Sequence, residues 1–398
     1  MNLSVLTLLP LRGNLFARLF GKLFGCPMTF NTNTIPTPLA LVCELTHRCP
    51  LHCVYCSNPL ELAKRESELP TETWSRLFRE AAGLGILQAD FTGGEPLART
   101  DIAALVGLAR EAGLYVSLIS GGVPLDEAKL AALVAAGLDH FQLSFQGARE
   151  ATAREISGTT THAQKLRVLD WLKKYRIGLT LNFVIHRQNI HELEEMLTLV
   201  ELYAPGCVEF ASVQYYGYGF ANRAQLLPTR AQLDYCVETL KKAEERLQGK
   251  SRVVFVVPDY YAKFPKPCVA GWGQKLMLIS PDGSALPCHA AHVIPGLRFD
   301  NVKAKSLREI WEASSAFGRF RGEDWMQEPC KSCDRRHLDF AGCRCQALLL
   351  AGDAASTDPV CSLAPSRPLV DAILSKINAL DPAAPEVKPD WLYRPNPA

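Results

Sequence analysis

The chain has 398 residues, 48% of them hydrophobic, which is enough for two or three domains around a large core. A formal net charge of +2 excludes a nucleic-acid partner held mainly by electrostatics. No apolar run reaches the roughly 20 residues of a membrane-crossing helix, so no stable membrane span is expected.

Fourteen cysteines are many for this length. No secretory signal with a cleavage site is evident. The cysteines fall in short Cx2C, Cx3C and CxC groups, which points to metal in a reducing compartment rather than to disulfides. A cytoplasmic location is expected.

Residues 1–35 read as an extension. The first 43 residues hold no Asp or Glu, and Arg12, Arg18 and Lys22 lie among Leu, Phe and Val. An amphipathic surface helix or targeting stretch would look like this. Pro10 and Gly13 interrupt the pattern, and a second start at Met28 just ahead of the first strand makes a dispensable extension the favoured reading.

Strands and helices then alternate. Leu39–Leu45 reads as a strand, Thr71–Ala82 as a helix closed by Gly83 and Gly85, and Leu87–Thr92 as a strand ending at Gly93-Gly94-Glu95-Pro96. Helix Ile102–Ala112, strand Leu114–Ser120, helix Leu125–Ala136, strand His140–Gln146 and helix His162–Tyr175 follow. Strand Gly178–His186, helix Ile190–Tyr203 and strand Val208–Tyr216 complete the series. Residues 228–248 read as a solvated helix and Arg252–Val257 as a short strand.

Six strands alternating with helices imply parallel βαβ units with right-handed connections. Six fall short of the eight that close a barrel, so an α/β fold is expected, a partial (β/α)6 barrel open at one side. Its functional residues belong at the carboxyl ends of the strands. The expected division is a core over 36–225, a connector over 226–267, a cysteine-rich domain with little regular structure over 268–362 and a Pro-rich tail over 363–398.

The first strand leads into Cys49-Pro-Leu-His-Cys53-Val-Tyr-Cys56. Three thiolates so placed hold three irons of a [4Fe–4S] cube, and with no fourth nearby one iron keeps an open position, the mark of a reactive metal site. Structural zinc prefers four ligands in two short pairs and fits this run poorly. His52 lies too close in sequence to share the shell comfortably. On strand four, Gln142, Ser144 and Gln146 share one face, and a buried polar row needs partners. A polar cofactor would supply them; satisfied buried amides are the plainer alternative. Asn182, His186, Gln214 and Tyr216 are weaker candidates of the same kind.

The cysteine run, with Tyr55 in its aromatic place, resembles the radical S-adenosylmethionine (SAM) enzymes. The resemblance implies that Cys49, Cys53 and Cys56 hold a [4Fe–4S] cluster whose open iron binds SAM. Reduction then yields a 5′-deoxyadenosyl radical, with the protein binding, orienting and shielding. It also implies SAM contacts from Tyr55, Gly93, Gly94, Glu95, Pro96, Ser120, Gln142 and Ser144.

A second cysteine field holds Cys268, Cys288, Cys330, Cys333, Cys343, Cys345 and Cys361, too many for one mononuclear site. With Gly283 ahead of Cys288, it resembles the SPASM domain of peptide-modifying radical SAM enzymes, which carries two auxiliary iron–sulfur clusters, [4Fe–4S] and/or [2Fe–2S]. Where that pattern has a third cysteine after Cys330 and Cys333, this chain has Asp339, and Cys343 takes the fourth place. The resemblance assigns the nearer auxiliary cluster Cys268, Cys288, Cys343 and, as a further candidate, Cys345. It assigns the farther one Cys330, Cys333, Asp339 and Cys361. A carboxylate is a harder ligand than thiolate and should alter the potential. The alternative keeps Asp339 as a surface residue, with water or Cys345 completing the shell. Cys26, Cys43, Cys207 and Cys236 have no motif partner and read as buried or inert thiols.

Glu44-Leu-Thr-His-Arg-Cys-Pro-Leu, Phe91-Thr-Gly-Gly-Glu-Pro-Leu, Gln142-Leu-Ser-Phe-Gln, Val213-Gln-Tyr-Tyr-Gly and the aspartate at 339 together resemble the PqqE family of pyrroloquinoline quinone biosynthesis. That resemblance implies an oxidoreductase that joins a glutamate γ-carbon to a tyrosine ring carbon of the precursor peptide PqqA. A separate PqqD chaperone would present the peptide, and a donor such as flavodoxin would supply electrons. The alternatives are another SPASM maturase, thioether-forming or sulfatase-maturing, and a zinc-bound scaffold protein.

Overall fold

A computed structural model describes residues 35–380 and 389–397. The reading of residues 1–35 therefore falls almost wholly outside the described residues.

Among the described residues nine strands form one sheet: β1 Ala40–Thr46, β2 Gln88–Gly93, β3 Tyr115–Ser120, β4 His140–Phe145, β5 Gly178–Ile185, β6 Cys207–Ser212, β7 Arg252–Phe255, β8 Leu276–Ile279 and β9 Ala285–Leu286. Their order is β7-β6-β5-β4-β3-β2-β1-β8-β9, and every neighbouring pair is parallel except β8 with β9. The six strands read from the sequence occupy the middle of this sheet, in chain order, as βαβ units require. The sheet extends past these six strands at both ends, at one of them by the short strand read over Arg252–Val257. β7 adds beside β6, and the apolar run Leu276-Met277-Leu278-Ile279 adds beside β1. That run carries no alternation to mark it, because both of its faces are buried.

Helices cover the outer face. Thr71–Leu84 follows Pro70 and stops at Gly85, whose φ of 93° suits a residue without Cβ. It buries Trp74, Leu77, Phe78 and Ala81, and Phe78 stacks on Phe91 of β2 at 5.5 Å. Phe145, Phe183 and Phe210 stack in turn across β4, β5 and β6 at 5.4 and 5.6 Å, tying three strands together on the helix side. A further helix over Glu150–Ser157, between β4 and the helix His162–Tyr175, buries Ala153 and Ile156. Leu307–Ala313 and Arg344–Ala351 give the cysteine-rich region helices of its own. Cys43 and Cys236 are fully buried and Cys207 nearly so.

β4 fixes the inner face. Phe141, Leu143 and Phe145 are buried toward the helices, and Gln142 and Ser144 alternate with them toward the interior. β1 and β2 change register between Glu44 and Thr46, an irregularity that turns the end of β1 into the cysteine loop. β6 ends at Ser212, so Gln214 and Tyr216 lie in the segment beyond it rather than on a strand.

Candidate radical centre and cysteine clusters

The cysteine loop is held by its neighbours more than by itself. Gly94 N donates to Thr46 O at 2.6 Å and Glu95 N to Arg48 O at 2.8 Å, so the turn after β2 is bonded to the start of the loop. A Cβ on Gly94 would stand 2.5 Å from Arg48 O and 2.6 Å from His47 O, which leaves room for glycine alone. On the other side His52 N donates to Ser157 O and Val54 N to Ile156 O. From a third direction Gly217, at φ +48°, brings its backbone against Asn58 O, and Gly219 N donates to Cys56 O.

Cys49, Cys53 and Cys56 open onto one cavity with about 950 Å³ of atom-free space, part of it open to solvent. Tyr55, Gly93, Gly94, Glu95, Ser120, Gln142 and Ser144 also line it. Seven of the eight expected SAM contacts therefore meet the three thiols. Pro96 does not: it is buried as the first residue of a 3₁₀ turn and lies outside the lining. Gln146 and Asn182 join the lining. His186 is buried behind Tyr55, ring to ring at 5.8 Å.

Glu95 ties two strand ends together. It accepts from Ser120 Oγ, Gly121 N and Leu97 N at 2.8, 2.8 and 3.0 Å, which binds the end of β2 to the end of β3. Burial nevertheless raises its pKa. Tyr55 accepts from Gln146 Nε2 at 3.1 Å, and Gln146 Oε1 accepts from Lys165 at 2.6 Å.

Lys165 escaped the sequence reading. It is 1% exposed, its Nζ also reaches Ser144 O at 2.5 Å, and burial lowers its pKa to about 8. The signal was available: Lys165 shares a helix face with Val168, Leu169 and Leu172, all buried. A lysine on an apolar stripe has a reason to be inside. Burial pushes the Cys49 thiol up and the Cys53 thiol up to about 12, with the positive charges of Arg394 and, at Cys53, Lys165 opposing it. His52 is not a free ligand, since its Nδ1 donates to Arg394 O at 2.7 Å.

The second field forms two groups. Cys343 shares thiol hydrogen bonds with Cys268 and Cys345, and Cys345 shares one with Cys288, so the four free thiols named for the nearer auxiliary cluster lie together. These bonds pull the Cys343 thiol well below its ordinary pKa. Tyr216 Oη lies 2.8 Å from Cys343 Sγ, and its ring meets His289 edge-on. His289 lines the first cavity, so this short chain of side chains connects the two regions.

Cys330, Cys333, Asp339 and Cys361 line a second, smaller cavity with Thr357, Arg335 and Arg336. Asp339 is 7% exposed, which removes the surface-residue reading. Its Oδ2 accepts from Arg335 at 3.3 Å and its Oδ1 from Ala341 N at 3.2 Å. Among the described residues no three His, Cys, Asp or Glu side chains converge on a point that a single metal ion would occupy. The thiols touch in pairs or ring a cavity instead.

Residues 43–200 match the radical SAM superfamily and residues 268–334 an iron–sulfur cluster-binding SPASM domain. A PqqA peptide cyclase from Methylobacterium nodulans is 50% identical over 364 residues, which is 91% of this chain and 95% of that one. The chain belongs to the PqqA peptide cyclase family. A family member from Gluconobacter oxydans is 50% identical over 85% of this chain and 94% of its own. The fold is shared with Streptococcus suis SuiB bound to SAM (TM-score 0.69, 19% identity, 82% of this chain and 77% of that one). It is also shared with anSMEcpe bound to SAM and a peptide (TM-score 0.62, 18% identity, 86% and 100%).

The chain is thus a radical SAM enzyme with a partial α/β barrel and a SPASM domain, and SAM and iron–sulfur clusters are its cofactors. The thiol groups described above fit such clusters in number and enclosure. No helix among the described residues is long and apolar enough to cross a membrane.

Proposed function

We propose that the enzyme crosslinks a glutamate γ-carbon to a tyrosine ring carbon within PqqA, the first step of pyrroloquinoline quinone biosynthesis. The observation that carries this reading is the buried Asp339 beside Cys330, Cys333 and Cys361 in one cavity, in a chain half identical to PqqA peptide cyclases. Cys49, Cys53 and Cys56 would hold the cluster at which bound SAM would supply, on reduction, the radical needed to remove hydrogen from the glutamate. The new carbon–carbon bond leaves one electron and one proton to depart before the ring is aromatic again.

The chain's own residues divide the remaining work. Cys49, Cys53 and Cys56 would hold the first cluster, and Gln142, Ser144, Lys165 and Tyr55 would position SAM and keep water away. The Cys268, Cys288, Cys343 and Cys345 group, with Tyr216 beside it, would take up the departing electron. The peptide would enter by the crevice lined by His47, Leu60, Leu62, Phe220 and His292, which meets the first cavity at Glu44 and His289. PqqD would present it and flavodoxin would deliver the priming electron, both as separate chains.

The test is anaerobic incubation of the reduced, iron-loaded enzyme with PqqA, PqqD and SAM. The expected product is 5′-deoxyadenosine with a peptide lighter by two hydrogens. Deoxyadenosine without that mass loss would overturn the crosslinking assignment and favour another peptide modification.

A further inference from the structure

The C-terminal segment after residue 388 returns to the cysteine loop and laces it down. Trp391 Nε1 donates to Glu155 Oε1 at 3.2 Å, and Tyr393 Oη donates to Glu155 O at 2.7 Å. Asn222 clamps the segment to the loop: its Nδ2 donates to both Leu392 O and Val54 O, and its Oδ1 accepts from Leu392 N. Arg394 and His52 exchange two bonds, Arg394 N to His52 O at 3.2 Å and His52 Nδ1 to Arg394 O at 2.7 Å. Asn396 Oδ1 then accepts the amide of Cys49 itself at 2.9 Å.

Arg394 is the least ordinary member. It is 1% exposed, and it lines the same cavity as Cys49, Cys53 and Cys56. Its Nη2 donates to His47 O and its Nη1 to Pro395 O, but its Nε is buried without a protein partner. A guanidinium taken out of water needs an anion or a full set of acceptors. Among the described residues no carboxylate pairs with it in an ion pair, while the loop thiols feel its charge. A cluster held by thiolates is anionic, and it would be the missing counter-charge.

We propose that residues 391–396 form a strap closing the first cluster's loop, and that Arg394 is a positioning residue whose fixed positive charge raises that cluster's reduction potential and retains its iron. This rests on Cys49, Cys53 and Cys56 being the cluster's ligands. A cation beside a cluster favours the reduced, more negative state, so removing it lowers the potential.

Three variants test this: Arg394→Gln, Arg394→Lys, and Asn396→Ala, which removes only the bond to the Cys49 amide. The readouts are a redox titration of each cluster followed by electron paramagnetic resonance, and the rate of anaerobic iron release to a chelator, both without substrate. Arg394→Gln should show a more negative first-cluster potential and severalfold faster release from that site, with the auxiliary potentials unmoved and Arg394→Lys restoring most of both. An unchanged potential and release rate in Arg394→Gln would overturn the proposal. Where Arg394→Gln fails to fold by circular dichroism, Asn396→Ala must still release first-site iron faster, and release at the wild-type rate would overturn it. Wild-type protein with only auxiliary-cluster signals would instead sink the ligand assignment itself.

Discussion

Gly94→Ala tests whether the turn after β2 clamps the cysteine loop. The three atoms nearest a Cβ there are all backbone: Arg48 O at 2.5 Å, His47 O at 2.6 Å and His47 C at 2.7 Å. No side chain can rotate away, so the two segments must part by about an ångström to reach ordinary contact, roughly 3.4–4 Å. Parting them stretches the Gly94–Thr46 and Glu95–Arg48 hydrogen bonds, now 2.6 and 2.8 Å. Overpacking costs about 1–3 kcal/mol, and each weakened bond up to about 1 kcal/mol. The expected loss is about 3 kcal/mol, roughly two decades in the folding equilibrium.

Gly107→Ala is the control. A Cβ at Gly107, inside the helix Ile102–Glu111, meets nothing within 4 Å, and the change should stabilise by about 0.5–1 kcal/mol. Anaerobic denaturant titration of both variants, with iron counted per chain, reads the two effects. Gly94→Ala is expected to show a lower midpoint and to lose the iron of the first site while the auxiliary iron remains. A Gly94→Ala midpoint equal to that of wild type, with full iron, would refute the clamp.

Two further outcomes follow from buried groups away from this turn. Asp339→Cys should keep the farther auxiliary cluster but shift its potential, and Asp339→Ala should weaken or lose it; unchanged iron and redox titrations in both variants would make Asp339 a bystander. His140, bonded to Ser117 and Thr180 at 3.0 Å each, has its pKa lowered by burial to about 4 from 6.5. The unfolded chain therefore takes up this proton first as pH falls. Its contribution is complete above pH 6.5 and declines by about 3 kcal/mol toward pH 4. His140→Gln should remove about 2 kcal/mol of the difference in unfolding free energy between pH 7 and 5, and an unaltered pH dependence would contradict the assigned burial cost.

The sequence showed most of what repeats and little of what returns from afar. The alternating elements were legible because their apolar periods change from two to 3.6. The first site was legible because three and two residues separate its successive thiols and its glycine turn ends a strand. Asp339 was legible as a gap in a cysteine register. β8 was not, because four buried apolar residues have no face to reveal them. Arg394 was not, because everything that gives it meaning, from His47 to Cys53, lies at the far end of the chain. Lys165 falls between the two: its helix face announced burial, but only the fold shows that it reaches Ser144 and Gln146.

β8 beside β1 has a consequence for how the molecule is made. During synthesis β1 emerges early and gains β2 soon after, yet its other edge stays unpaired until Leu276–Ile279 leaves the ribosome. For that interval the strand leading into the cysteine loop presents bare amides and carbonyls, a template for wrong pairing. Completion of the sheet is thereby drawn late, to the time when the cysteines beyond β8 are themselves being translated. A chain cut after the barrel would keep that edge open for good, so the barrel is expected to be complete only once the start of the cysteine-rich region has joined it.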